Sequence, residues 1–271
     1  MSQQAVRVAV SGASGRMGRT LIAGVLDDTT LTLGAAFDLA GQACIGEDAG
    51  QLIGAAATGV LVRDDVAGAL AAADVLIDFT RPAGTLQYLA ACVQAKRAIV
   101  IGTTGFSEAE KKQIAVAAQS IPIVFAPNMA VGVNVTFKLA QIAARALGDD
   151  YDVEIIESHH RHKVDAPSGT ALRFGEVVAQ ALGRDPARDF VHGRHGEPGA
   201  RPAKEIAFHA IRGGDIIGEH TVMFAGMGER VEVTVRSSSR STYATGALRA
   251  ARFVAGRAAG LYDMDDVLGL K

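Results

Sequence analysis

Tryptophan is absent from this sequence, and cysteine occurs only twice, at Cys44 and Cys92. Two cysteines with no Cys-x-x-Cys pair cannot build a disulfide framework. Blocks of one charge are missing as well. The 27 Lys and Arg against 29 Asp and Glu leave a net charge of -2, which removes the electrostatic case for nucleic acid or an anionic membrane as partner. No uninterrupted apolar stretch approaches the roughly 20 residues that cross a bilayer. The opening MSQQAVRVAVSG lacks the apolar core of a signal peptide and runs straight into a strand-like segment. These absences together predict a soluble, cytoplasmic protein.

What the sequence has is a globular composition, 49% hydrophobic and 21% charged, over 271 residues, enough for one large domain or two modest ones. Its 31 glycines stand singly and in short motifs, so they read as turns and ligand loops rather than linker. The first half alternates compact apolar runs with helical segments. Val6–Ser11, Leu31–Phe37, Val75–Phe79, Ala98–Ile101 and Ile121–Phe125 predict strands, and Arg16–Leu26, Thr85–Lys96 and Glu108–Gln119 predict helices. Ser107 with Glu110 is a capping-box signature for the last of these. Such alternation predicts an α/β fold with a Rossmann-like, doubly wound parallel sheet.

Beyond residue 130 the rhythm changes. Val133–Leu147 predicts an amphipathic helix stopped at Gly148, and Asp152–Glu157 a strand. The stretch Leu182–Pro202 has no periodicity and reads as loop. Glu205–Arg212, His220–Phe224 and Arg230–Ser237 then predict strands joined by glycine turns, and Thr242–Ala258 a final helix. The expected organisation is a dinucleotide-binding domain over 1–130, completed by 241–271, and a second α+β domain with a mixed sheet over 131–240.

The strongest local motif is Gly12-Ala13-Ser14-Gly15-Arg16-Met17-Gly18, placed between the first strand and the first helix. A sharp strand-to-helix turn needs residues without Cβ, and the helix amino terminus offers free N–H groups and a positive dipole end to a pyrophosphate. Asp38 ends the second predicted strand, where a carboxylate can accept ribose hydroxyls. These features point to a nicotinamide dinucleotide. Asp38 repels a 2′-phosphate and position 39 is Leu, so NADH is favoured over NADPH, with Arg16 the cation nearest in the loop. Gly102-Thr103-Thr104 and Ala126-Pro127-Asn128-Met129 fall at predicted carboxyl ends of strands, where ligands bind in such sheets.

Three of the seven histidines, His159, His160 and His162, stand with Arg161 and Lys163. A metal site, a solvated basic loop and an anion pocket are all open to such a cluster. Read as a strand end, it puts His160 and His162 on one face and His159 on the other, beside two cations, which disfavours convergence on a metal. The flank Pro167-Ser168-Gly169-Thr170 followed by the helical run Ala171–Gln180 is a helix amino terminus suited to a carboxylate. Histidines beside it can both bind an anion and move a proton near neutral pH.

Taken together, GASGRMG at 12–18, GTTG at 102–105, APNMAVGVN at 126–134 and SHHRHKVDAPSGTAL at 158–172 resemble the 4-hydroxy-tetrahydrodipicolinate reductase family along essentially the whole chain. The resemblance implies a homotetrameric oxidoreductase of the diaminopimelate route to lysine. Such an enzyme uses NADH or NADPH to reduce a cyclic dicarboxylate, with no metal. It further implies His159 as proton donor and acceptor, Lys163 as second proton donor, and His160, Gly169 and Thr170 as substrate contacts. Gly12, Ala13, Ser14, Gly15, Arg16, Met17, Asp38, Gly102, Thr103, Thr104, Ala126, Pro127, Asn128 and Met129 match the cofactor contacts. Many members carry Glu-Arg where this chain has Asp38-Leu39, which weakens NADPH preference and leaves the reaction untouched. Arg240, in SSSRS, is a further basic residue near the last predicted strand. Two other readings remain: a dehydrogenase acting on a different small acid or semialdehyde, and a dinucleotide sensor without turnover. An acylating semialdehyde dehydrogenase needs a placed cysteine, whereas Cys92 falls inside a predicted helix.

Overall fold

The computed structural model describes residues 5–239 and 241–271, so Arg240 lies outside the described residues. The chain divides into two units, one of Met1–Val131 with Ser241–Lys271 and one of Gly132–Arg240. Along the chain, β1 (Val6–Ser11), α1 (Arg16–Leu26), β2 (Leu31–Phe37), α2 (Ala49–Leu52), β3 (Val62–Arg63), α3 (Val66–Ala71), β4 (Val75–Asp78), α4 (Pro82–Ala95), β5 (Ala98–Ile101), α5 (Glu108–Ala117) and β6 (Pro122–Phe125) alternate. Then come α6 (Val131–Leu147), β7 (Asp152–His159), α7 (Gly169–Leu182), α8 (Pro186–Asp189), β8 (Phe190–His192), β9 (Ile206–Arg212), β10 (Gly218–Ala225) and β11 (Arg230–Ser237). The chain closes with α9 (Ser241–Val254), β12 (Gly260–Tyr262) and α10 (Met264–Leu268).

In the first unit seven parallel strands run in the order β12-β6-β5-β4-β1-β2-β3. Both faces are covered, because alternate residues of one strand enter opposite cores. Val8 and Val10 pack with Leu21, Ile22 and Val25 of α1 and with Ala247 and Val254 of α9. Ala9, Leu76 and Ile99 pack instead with Leu70 of α3, Leu89 and Cys92 of α4 and Ile114 of α5. The chain starts in the middle of the sheet, builds outward to β3, then crosses to β4 on the other side of β1. The carboxyl ends of β1 and β4 therefore flank the point where strand order reverses, which in such sheets is the ligand crevice.

The second unit has a mixed sheet, β11-β10-β7-β9-β8, with β7, β9 and β8 parallel and β10 antiparallel to both its neighbours. Its core is the face on which Val153, Ile155, Val222 and Phe224 meet Ala140 and Ala144 of α6 and Phe174 and Val178 of α7. The stretch read as loop in the sequence contains α8 and β8. Strand β8 exists because β9 supplies its backbone partners, a pairing that periodicity within 182–202 cannot reveal. Helix α4 starts earlier than its apolar pattern, at Pro82, since a proline at the first turn gives up no hydrogen bond. The capping box predicted at Ser107 and Glu110 is formed. Among the described residues no helix is long and apolar enough to cross a membrane.

Candidate active site

The candidate residues fall into two groups, one in each unit. In the first unit the turn after β1 is built so tightly that a Cβ on Gly18 would stand 2.1 Å from the Gly12 carbonyl oxygen, while Gly12 itself has φ +61°. Only glycine serves at both places. Helix α1 opens at Gly15 with no side chain capping its first turn, so its leading N–H groups remain available to an anion. Asp38 ties the end of β2 to this loop: Oδ2 accepts from the Ser14 amide at 2.8 Å and from Ser14 Oγ at 2.7 Å, and Oδ1 accepts from the Leu39 amide at 2.8 Å. Leu39 itself is exposed.

Gly102–Thr104 follows β5 and Ala126–Met129 follows β6, so both lie at the same carboxyl edge as the glycine loop. The Gly102 amide donates to the Asp78 carbonyl at 2.9 Å, and Ala126 to the Ile101 carbonyl at 3.2 Å, which sets these loops in register. Thr103 is buried, Thr104 and Pro127 are exposed, and Asn128 Oδ1 accepts from the Ala130 amide at 2.9 Å. At this edge Asp78, fully buried, accepts from Ser11 Oγ at 2.5 Å, Thr80 Oγ1 at 2.8 Å and Thr103 Oγ1 at 3.1 Å, and also from Thr85. A close-packed turn, an uncapped helix start and an acid at the end of β2 suit a dinucleotide. Cys92 is 0% exposed and burial pushes its thiol up to about 12, so it is no thiolate nucleophile near neutral pH.

In the second unit β7 extends two residues further than its sequence pattern predicts and ends at His159. His160 to Lys163 therefore turn away after the strand, and the strand-end alternation expected for His160 and His162 does not apply. The turn is held by the Gly213 amide on the His159 carbonyl at 3.0 Å, the Arg161 amide on Gly214 at 3.2 Å and the Lys163 amide on His160 at 3.1 Å. The His160 and His162 rings lie 6.3 Å apart, and His160 Nδ1 is buried without a hydrogen-bond partner among the described residues. The Lys163 ammonium donates to both oxygens of Asp165 at 2.8 Å. Ser168 caps α7, its Oγ accepting from the Ala171 amide at 3.2 Å, and a Cβ added to Gly169 would meet nothing within 4 Å. The space beside Gly169 at the helix start is thus open.

His159 is 9% exposed. Burial lowers its pKa below the ordinary value, Glu157 opposes that, and the charges of Lys163 and Arg212 add to the lowering. Among the described residues no group of three or more His, Cys, Asp or Glu is placed to hold a metal ion.

Comparison with known proteins covers both units. Residues 6–129 match the family described as dihydrodipicolinate reductase, N-terminus, and residues 132–268 match dihydrodipicolinate reductase, C-terminus. The chain belongs to the dihydrodipicolinate reductase family. It is 62% identical over 266 residues to the 4-hydroxy-tetrahydrodipicolinate reductase of Aromatoleum aromaticum, covering 98% of this chain and 96% of that one. The 4-hydroxy-tetrahydrodipicolinate reductase of Dechloromonas aromatica is 60% identical, with 98% and 99% covered. A solved structure of dipicolinate-bound dihydrodipicolinate reductase from Paenisporosarcina sp. TG-14 is 25% identical, with a TM-score of 0.78 over 97% of this chain and 99% of that one. GenD2 from gentamicin A biosynthesis, solved in complex with NAD, has a TM-score of 0.60 at 15% identity over 100% and 92%, a likeness of fold alone.

Three residues of this reductase that the sequence reading passed over stand around its histidine: Glu157, Arg212 and His220. The Glu157 carboxylate contacts His159, Arg212 and the Ser168 amide, and His220 Nε2 lies 3.0 Å from Ser168 Oγ. Glu157 had a signal, since it precedes His159 by two and any strand reaching 159 sets both on one face. Arg212 and His220 had none, because their strands come from 50 residues or more away. In the first unit Asp78 was likewise unmarked.

Proposed function

We propose that this reductase converts 4-hydroxy-tetrahydrodipicolinate, a nicotinamide dinucleotide and one proton into tetrahydrodipicolinate, oxidised dinucleotide and water, in the diaminopimelate route to lysine. The observation that carries the reading is the pairing of His159 and Lys163 with a helix amino terminus that has open space at Gly169, in a chain whose full-length relatives bear that name. Gly12 to Met17, Asp38, Gly102 to Thr104 and Ala126 to Met129 are the residues that would hold the dinucleotide. When bound, its nicotinamide supplies the hydride.

The chain's own groups then have defined work. One ring carboxylate is received at the helix start, at Gly169 and beside Thr170, where the helix dipole favours a negative charge. His160, with its unpaired buried nitrogen, offers a polar partner to the same ligand. Lys163 exchanges Asp165 for a substrate carboxylate and serves as second proton donor. His159 gives a proton to the ring as negative charge builds there, so that no carbanion has to persist. Asp38 with Leu39 favours NADH over NADPH, because a 2′-phosphate would face a carboxylate with no adjoining cation at position 39. The working form is a cytoplasmic homotetramer.

The test follows NADH and NADPH oxidation by the absorbance of the reduced nicotinamide. Substrate is generated in place from pyruvate and aspartate semialdehyde by the preceding synthase. Substrate-dependent oxidation, faster with NADH, is expected. Dinucleotide binding without oxidation, with the synthase shown active, would overturn the reading in favour of a sensor.

A further inference from the structure

Glu157 and His159 lie two apart on β7, and their side chains meet on one face. The Glu157 side chain is 0% exposed. His159 Nδ1 at 2.6 Å and Arg212 Nη1 at 2.8 Å meet its Oε2, while Arg212 Nη2 at 2.7 Å and the Ser168 amide at 3.0 Å meet its Oε1. A guanidinium and an amide can only donate, so two-sided clamping by Arg212 and the Ser168 amide keeps the carboxyl ionised. An ionised carboxylate can only accept. The short contact to His159 therefore places a hydrogen on Nδ1 and leaves Nε2 as the nitrogen free to exchange a proton. Nε2 makes no hydrogen bond among the described residues. Gly218 preserves space beside it, since a Cβ there would stand 3.1 Å from Nε2.

We propose that Glu157 is a positioning residue, whose carboxylate, clamped by Arg212 and the Ser168 amide, holds His159 in the Nδ1–H form with Nε2 presented to the reacting ring. The proposal rests on the reductase reading for its kinetic consequence and on the geometry alone for the tautomer. The same carboxylate anchors the cap of α7, so the proton donor and the carboxylate-receiving helix start are referenced to one buried group. The charged and titratable groups facing His159 are Glu157 from its own strand, Lys163 with its partner Asp165 from the following turn, Arg212 from β9 and His220 from β10, whose ring centre is 5.2 Å away. Of these, Glu157 is the group whose charge acts to keep His159 protonated, against burial, Lys163 and Arg212.

The test compares wild type with Glu157→Gln, an uncharged side chain of the same shape. Nitrogen-15 NMR of histidine-labelled protein at pH 8, with His159 assigned by its loss in His159→Asn, reads the tautomer directly. Wild type is expected as Nδ1–H, and E157Q as a mixture shifted toward Nε2–H, because an amide can donate to Nδ1. In turnover, E157Q is expected to lose about 100-fold in kcat at an unchanged KM for dinucleotide. The alkaline limb of its pH profile moves to lower pH, since His159 loses its proton sooner without the carboxylate charge. Wild type found mainly as Nε2–H would overturn the proposal without any variant. So would an E157Q protein with an unaltered tautomer and an unmoved limb. If wild type binds dinucleotide yet turns nothing over, the reductase reading fails, and the tautomer measurement still decides the positioning role.

Discussion

Asp78 in the first unit and Glu157 in the second are both shielded from water near the carboxyl ends of their strands, but their partners differ in kind. Four hydroxyls, from Ser11, Thr80, Thr85 and Thr103, surround Asp78. A guanidinium, an imidazole and a backbone amide surround Glu157. Neutral donors can satisfy a carboxylate and knit the end of β1, β4, α4 and the Gly102–Thr104 loop into a fixed edge. They pass no charge onward. Burial resists ionisation of Glu157, but Arg212 and His159 outweigh it and hold the carboxyl below its ordinary pKa, so its charge acts on the histidine. One carboxylate ties strand ends and loops together; the other sets its charge against a histidine.

Breaking the second arrangement is expected to cost most. Replacing His159 or Lys163 by Ala should lower kcat by at least about 100-fold while the dissociation constant for NADH, measured by fluorescence titration, changes little. Retention of near-normal turnover would remove that residue from the chemistry. Arg212→Met comes next: it strands a buried carboxylate, and urea unfolding should show a loss of about 3 kcal/mol, at the low end for a broken buried pair because Arg212 is partly exposed. A loss near zero would mean Glu157 takes up a proton at no cost, and the clamp would have to be discarded.

His220 sharpens the comparison through pH. Burial foremost, then the charge of His159, pushes its pKa down to about 4. The unfolded chain takes up a proton near the ordinary histidine value and the folded protein does not, so the folded state loses stability as pH falls through that window. His220 alone should contribute a loss of about 2 kcal/mol between pH 7 and pH 5, absent in His220→Asn. An identical pH slope in the variant would contradict this. The smallest effect is expected at the hydroxyl-ringed carboxylate, where Thr103→Val removes one of four hydroxyls from Asp78 and should cost about 1 kcal/mol in urea unfolding. A cost equal to that of Arg212→Met would erase the distinction between the two sites.

Much of the first unit was legible because its signals are local. Strands buried on both faces are short apolar runs, and the glycines at 12 and 18 are demanded by sterics within one turn. Strand β3, strand β12 and helix α10 escaped, being too short for any period to register. In the second unit, β7 was read as ending at Glu157, so the alternation was applied to the wrong residues. Had the strand been carried to His159, Glu157 would have stood out as its neighbour on the same face.

By itself, the sequence determined the residue types of the candidate site, the tight glycine turn after β1, the capped start of α7 and the order of strands and helices. All of these depend on interactions among residues within a turn or two of one another. Only the tertiary structure decided what stands around the histidine. Register sets Arg212 of β9 beside His159 and His220 of β10 opposite Glu157. A strand's period of two says which face a side chain takes, but not which strand lies alongside or in what register. The charge that Glu157 turns on His159, and the arginine that sustains it, come from that pairing.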